Sequence, residues 1–169
     1  DYARAARSPG STLKPFIYAL GIWLNGFTGA TLLSDVGLLL DARRGGYSTK
    51  NYDGAYLGPI LYRNALANSR NIPAVEVLRA VGVDRMLRHF QELGLVRRGQ
   101  DAGQYGLSLA LGGLNVSLFE LVRAYGVLAR EGAAFEPRWT QEDPPPRGVS
   151  RVIPQDVARQ ITLFLADPV

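Results

Sequence analysis

Apolar positions along this chain gather into blocks of helical length separated by polar, glycine-marked breaks. From Ser11 the run Ser-Thr-Leu-Lys-Pro-Phe-Ile-Tyr-Ala-Leu-Gly-Ile-Trp-Leu-Asn-Gly carries no charge after Lys14. It predicts a helix that follows the turn Ser8-Pro9-Gly10, accommodates Pro15 in its first turn and stops at Asn25-Gly26. A surface helix keeps a polar face and this one has none, so burial on most sides is expected. Residues 27–58 break the pattern. They are rich in Gly, Tyr, Asp and Asn around Tyr47-Ser48-Thr49-Lys50-Asn51-Tyr52-Asp53-Gly54, and read as a long irregular excursion with a short strand pair, of the kind that carries binding function on a rigid scaffold or simply covers it.

Helical spacing returns over 59–68, breaks at Ser69-Arg70-Asn71 and resumes after Asn71, with Pro73 near the start and Val75, Val77 and Leu78 facing inward. Gly82 interrupts that helix. Met86, Leu87, Phe90 and Leu93 then recur at three- and four-residue steps, which marks one buried face. The apolar, glycine-punctuated stretch Tyr105–Gly113 reads as a tight connection under the core. Ser117 followed by Glu120 is a capping box, and Leu118, Leu121, Val122, Tyr125 and Leu128 line the predicted inner face of a helix ending at Glu131-Gly132. A polar extended stretch through Pro144-Pro145-Pro146-Arg147 follows. A short strand over Val149–Val152 and a last helix over Gln155–Leu165 complete the pattern. Helix dominates and little sheet is visible, which suits either an all-helical domain or the helical part of a fold whose main sheet is encoded elsewhere.

Composition narrows the chemistry. A length of 169 residues suits one domain with a core of its own. The absence of cysteine excludes disulfides, thiolate zinc sites and a cysteine nucleophile, and leaves the compartment open. Nineteen Lys and Arg against fifteen Asp and Glu give a net charge of +4. The surplus is dispersed, with Arg43-Arg44 and Arg97-Arg98 as the adjacent basic pairs. Without a dense basic stripe interleaved with aromatics, no nucleic-acid partner is expected. No secretory leader and no run of eighteen apolar residues occurs. The first and last four residues read as cuts within a longer protein. No metal or organic cofactor is expected, and His89, the sole histidine, reads as structural or surface.

Ser11 and Lys14 stand three apart at a helix start, a spacing that brings Cβ atoms to about 5–6 Å. A neutral Lys amine there can take the Ser proton, and the unpaired amides of a first turn favour developing negative charge. The amine must first have its pKa lowered, by burial among Leu13, Phe16 and Ile17 or by a second positive group. Ser69-Arg70-Asn71 adds a hydroxyl and an amide two residues apart at a helix break. Each pattern alone is equally a set of helix caps with a solvated lysine.

Together they resemble a known family. Arg7-Ser8-Pro9-Gly10-Ser11-Thr12-Leu13-Lys14-Pro15-Phe16-Ile17-Tyr18 resembles the first motif of the transpeptidase domain of class A, bifunctional penicillin-binding proteins, C-type subgroup. Asn51-Tyr52-Asp53-Gly54 with Gly58-Pro59 resembles the loop before the second motif. Ala65-Leu66-Ala67-Asn68-Ser69-Arg70-Asn71-Ile72-Pro73-Ala74-Val75 resembles that motif itself, and the likeness continues through Gly106–Gly113 and Leu121–Gly132.

The resemblance implies an α+β, β-lactamase/transpeptidase-like fold, with residues 1–169 covering mainly its helical part and the central sheet largely outside the chain. It implies Ser11 as acylated nucleophile, Lys14 as proton acceptor, Ser69 as proton relay to the leaving D-alanine, and Asn71 as holder of the stem-peptide amide. Tyr52, with Tyr47 and Tyr56, would flank the substrate groove. Arg70 is expected to point away from the chemistry. The family's third element, Lys-Thr-Gly, does not occur in the 169 residues, so another segment or chain is expected to supply that strand. The implied partners are peptidoglycan stem peptides, β-lactams and cell-wall assembly proteins. The implied location is the inner membrane, with the catalytic domain in the periplasm. Hydrolysis by a carboxypeptidase or β-lactamase, and a non-catalytic β-lactam sensor or interaction domain, are the alternatives.

Overall fold

The helix behind Ser11 is built to be surrounded. In the computed structural model, which describes residues 1, 3–37, 49–97, 99–144 and 150–166, a 3-10 turn over Gly10–Leu13 leads into α1, Lys14–Asn25. Pro15 sits in the first turn, where a missing amide breaks no intrahelical bond, and Gly26 ends the helix in the left-handed conformation. Every residue from Lys14 to Gly21 is buried, so the predicted burial holds for the first two turns. It fails in the last, where Trp23 and Leu24 are 46% and 44% exposed.

The other helices are α2, Tyr62–Ala67; α3, Asn71–Val81; α4, Val83–Glu92; α5, Leu118–Ala129; and α6, Gln155–Ala166. α3 is the main partner of α1, and α6 and α2 close other sides. Ile72, Val75, Val77 and Leu78 of α3 are completely buried, as are Phe16 and Ile17 of α1; each such side chain contributes roughly 1.5–3 kcal/mol of transfer free energy. Met86, Leu87, Phe90 and Leu93 form the expected buried face of α4. Tyr105–Gly113 contains one 3-10 segment, Gly106–Leu111, with Leu109 and Ala110 in the core, and a shorter one over Ala102–Gln104 precedes it.

Two strands pair antiparallel, β1 (Leu32–Asp35) and β2 (Gly58–Leu61), with Leu32 opposite Leu61 and Asp35 opposite Gly58. This corrects the reading of Pro59, Ile60 and Leu61 as helical. Leu61 is extended (φ −67°, ψ 143°) and the helix starts only at Tyr62. A three-residue apolar run has no period of its own, and the partner strand decides its conformation. The fold is therefore α+β, mainly helical with a small sheet.

The capping box of α5 is present: the Glu120 amide donates to Ser117 Oγ (3.2 Å) and the Ser117 amide donates to the Glu120 carboxylate (2.8 Å). Its inner face is rotated from the predicted one. Ala124, Val127 and Leu128 are buried, whereas Leu118 and Val122 are 57% and 60% exposed. Packing against α6 selects one edge of a wide apolar stripe. On the neighbouring edge Tyr125 meets Phe16 edge-on at 5.3 Å and donates to the Thr12 carbonyl at 2.8 Å, tying α5 to the turn that carries Ser11. The strand expected over Val149–Val152 is reduced to one bridge, Ala133 with Arg151; Val149, Tyr47, Ser48, Arg43, Arg44, Arg98, Pro145, Pro146 and Arg147 lie outside the described residues. Among the described residues no helix is long and apolar enough to cross a membrane.

His89 is structural. Its ring is buried, Nε2 has no hydrogen-bond partner, and Nδ1 stands 3.5 Å from the Glu92 carboxylate. Burial pushes its pKa from 6.5 down to about 4 against the pull of Glu92. Because the unfolded chain takes up a proton at higher pH than the native one, His89 costs the fold nothing above pH 6.5, and a penalty for keeping it uncharged grows as pH falls from 6.5 toward 4. Urea denaturation should show about 3 kcal/mol of stability lost across that window on this account, and His89→Leu should remove that part of the slope.

Gly112 lies directly under the turn that carries Ser11. Its φ is +86°, its carbonyl accepts from Ser8 Oγ at 2.7 Å, and a Cβ would come within 2.4 Å of the Gly10 nitrogen. Since the obstacle is backbone, Gly112→Ala should destabilise the chain by about 1–3 kcal/mol in chemical denaturation. A wild-type midpoint would show that the turn can yield.

Candidate active site

The 3-10 turn exposes Ser11 and Thr12 to solvent while Leu13 and Lys14 turn inward. Ser11 thus stands at the mouth of a buried helix. The first turn of α1 carries no acidic residue, and its Lys14 amide donates back to the Ser11 carbonyl, which joins the 3-10 turn to the helix. Lys14 is only 1% exposed. Its three ammonium hydrogens have three acceptors: the Ser69 carbonyl at 2.5 Å, Asn71 Oδ1 at 2.7 Å and Ser69 Oγ at 3.1 Å. Burial first, and the Arg70 charge second, lower its pKa from 10.5 to about 8. At pH 7 about a tenth of the molecules then carry a neutral amine.

Ser69 adopts φ +52°, a left-handed conformation that costs a non-glycine residue on the order of 1 kcal/mol. The turn is held by the Ser69 amide on the Leu66 carbonyl and the Arg70 amide on the Ala65 carbonyl, both at 2.9 Å. Neither Ser69 nor Asn71 serves as a cap. The residue in the N-cap position of α3 is Arg70, with no capping side chain. The cap comes instead from Asn51, whose Oδ1 accepts the Asn71 amide at 2.9 Å. Asn71 is left to face the site, with Oδ1 on Lys14 and Nδ2 donating to the Lys50 carbonyl at 2.8 Å.

Arg70 turns to Asp35, Asp53 and Ala55 rather than to Lys14, as its alternate position in the turn predicts. Nε donates to Asp35 at 2.8 Å, Nη1 to Asp53 at 2.7 Å and Nη2 to the Ala55 carbonyl at 2.6 Å. Asp35 is fully buried and also accepts from Asn51 Nδ2 (2.6 Å) and the Leu57 amide (3.2 Å). Asp53 is held below the usual carboxylate range, mainly by its hydrogen bond from Arg70.

The fold therefore brings Lys14, Ser69 and Asn71 into direct contact and sets Ser11 one turn before Lys14. Tyr52 stands apart from these contacts, fully exposed at 104% on the loop whose Lys50 carbonyl holds Asn71. Tyr56 is partly exposed and Tyr47 lies outside the described residues. Asp35, Asn51 and Asp53 are the site-building residues to which sequence analysis assigns no role. The one signal for Asp35 was a lone carboxylate in the apolar strand Leu32-Leu33-Ser34-Asp35.

Comparison with known proteins shows the family and the fold. Residues 2–167 match the transpeptidase family described as the penicillin binding protein transpeptidase domain. The chain is 38% identical over 144 residues to penicillin-binding protein 1C of Escherichia coli (strain K12), covering 85% of this chain and 18% of that protein. It is 37% identical over 137 residues to penicillin-binding protein 2D of Bacillus subtilis (strain 168), covering 79% and 19%. It spans less than a fifth of the length of either relative. Penicillin-binding protein 1A from Haemophilus influenzae superposes with a TM-score of 0.79 at 24% identity, over 97% of this chain and 30% of that one. A peptidoglycan glycosyltransferase from Burkholderia ambifaria gives 0.80 at 22%, over 97% and 56%. At those identities the superpositions speak for the fold. With the family matched over nearly every residue, the chain belongs to the penicillin-binding-protein transpeptidase family and has its α+β, transpeptidase/β-lactamase-like fold.

Proposed function

We propose that residues 1–169 are the helical portion of a D,D-transpeptidase domain that forms an acyl-enzyme on Ser11. The observation that carries this reading is Lys14: a buried amine one turn after an exposed serine, with its pKa lowered to about 8 and its nitrogen resting on Ser69 and Asn71. A lysine kept that close to neutrality inside a fold suits a proton acceptor and serves stability poorly.

In the proposed reaction Ser11 Oγ attacks the carbonyl carbon of the penultimate D-alanine in a stem peptide and its proton passes to the Lys14 amine. The tetrahedral intermediate collapses with cleavage of the peptide C–N bond. The proton returns through the Ser69 hydroxyl, beside Lys14 Nζ at 3.1 Å, to the nitrogen of the departing D-alanine. The acyl ester on Ser11 is then attacked by an amine of a second stem peptide; that amine loses its proton and Ser11 recovers one. Asn71 keeps a second Nδ2 hydrogen beyond the bond to Lys50, which suits it to the carbonyl of the bound peptide. Tyr52 would line the groove from its exposed position. Lys-Thr-Gly is absent from the 169 residues, and in this reading the strand that grips the terminal carboxylate comes from outside them. The identity to penicillin-binding protein 1C supports a class A, C-type parent, anchored in the inner membrane and working in the periplasm on peptidoglycan stem peptides, with β-lactams as inhibitors.

Intact-mass spectrometry of the full-length protein after incubation with a penicillin tests the nucleophile. A single adduct mapped to the peptide containing Ser11, and lost in Ser11→Ala, is the expected result; an adduct on another residue, or none on folded protein, overturns it. The base is tested by pH. Only neutral Lys14 accepts a proton, so the second-order acylation rate should rise with pH and level off above a midpoint near 8. A rate already flat from pH 6 would exclude Lys14 as the acceptor.

A further inference from the structure

Arg70 makes no contact with Lys14, yet its partners lead back to that amine. All three guanidinium nitrogens are used, on Asp35, Asp53 and the Ala55 carbonyl. Asn51 shares two of those partners, donating to Asp35 at 2.6 Å and to the Ala55 carbonyl at 2.9 Å. Through its other side-chain atom Asn51 receives the Asn71 amide, and Asn71 in turn receives Lys14. A closed circuit of hydrogen bonds therefore runs from Arg70 through the 49–57 loop to the amine beside Ser69.

We propose that Arg70 is a positioning residue for acyl transfer: it braces the 49–57 loop against the Ser69-Arg70-Asn71 turn, so that Asn71 and Ser69 stay on Lys14 with a fixed positive charge nearby. The proposal rests on the reading of Lys14 as proton acceptor. Its physical basis is twofold. A bidentate-capable planar cation holds two carboxylates and a carbonyl at once, which a point charge does less well. A like charge near an ammonium also favours its neutral form, in agreement with the lowering of Lys14 by Arg70. Other charged groups about Lys14 do not replace it. Asp35 on β1 and Asp53 on the loop are taken up by Arg70. Glu76 on α3 accepts the Ser34 amide at 3.0 Å on the β1 side, and Lys50 on the loop is solvent-exposed.

The test is the pH profile of penicillin acylation in the full-length protein and in Arg70→Gln, Arg70→Lys and Asp53→Asn, each checked for folding by thermal melting. Arg70→Gln should raise the midpoint by about one unit and slow acylation at pH 7 by about tenfold, with recovery at high pH. Arg70→Lys should return the midpoint close to wild type. Asp53→Asn removes negative charge from an exposed partner and should lower the midpoint by roughly a few tenths of a unit. A uniform loss at every pH in Arg70→Gln, with the midpoint unmoved, overturns the proposal. So does an upward shift, or none, in Asp53→Asn, which decides the matter if Arg70→Gln does not fold. No adduct at Ser11 in the wild type rejects the acyl-transfer reading itself, a different failure from an adduct whose midpoint ignores Arg70.

Discussion

A buried ion pair organises this molecule: Arg70, its side chain 7% exposed, against Asp35, at 0%. Neither charge has water to turn to, so each must be satisfied by protein, and removing one partner from such a pair costs about 3–5 kcal/mol. That requirement explains the surroundings. Asp35 gathers Asn51 and the Leu57 amide; Arg70 gathers Asp53 and the Ala55 carbonyl. The pair joins β1 to the turn before α3 across 35 residues. The loop drawn in around it then supplies the missing cap of α3. A hydrophobic isostere could fill the same volume, but it could not order the loop that carries Asn51.

The second constraint opposes stability. Lys14 is charged at neutral pH in the unfolded chain and sits in the native core with its pKa lowered from 10.5 to about 8. Lowering a lysine's pKa means that the fold disfavours the ammonium, at a cost of about 3 kcal/mol below pH 8 that disappears as pH rises toward 10.5. The left-handed Ser69 adds on the order of 1 kcal/mol. The buried apolar residues of α1 and α3 hold both in place. Strain and an unfavourable charge thus meet where Lys14 Nζ rests on Ser69, a pairing that the proposed acyl-transfer role would account for.

Much of this was legible from local pattern. The end of α1, the capping box at Ser117, the break at Gly82 and the buried face of α4 follow from rules that act within one or two turns, and the structure has them as expected, whereas α1 starts at Lys14, after a 3-10 turn, rather than at Ser11. Pro59–Leu61 and the inner face of α5 were misread for a common reason: a short or wide apolar run admits two solutions, and only the neighbouring strand or helix selects one. Ser69 and Asn71 could not be told from ordinary caps until Asn51, twenty residues before Asn71 in the chain, was seen to do the capping.

The sequence by itself determined the mainly helical character, the spacing of Ser11 and Lys14 near a helix start, and the family likeness that implied an α+β fold, because these depend on residues close together in the chain. Only the tertiary structure decided how Lys14 meets Ser69 and Asn71, that Arg70 holds Asp35 and Asp53, and how far the amine's proton affinity falls. Those depend on burial and on contacts across 17 to 57 residues. Desolvation and Coulomb forces act through space, and nothing in the order of residues along the chain states which charges the fold will bring together.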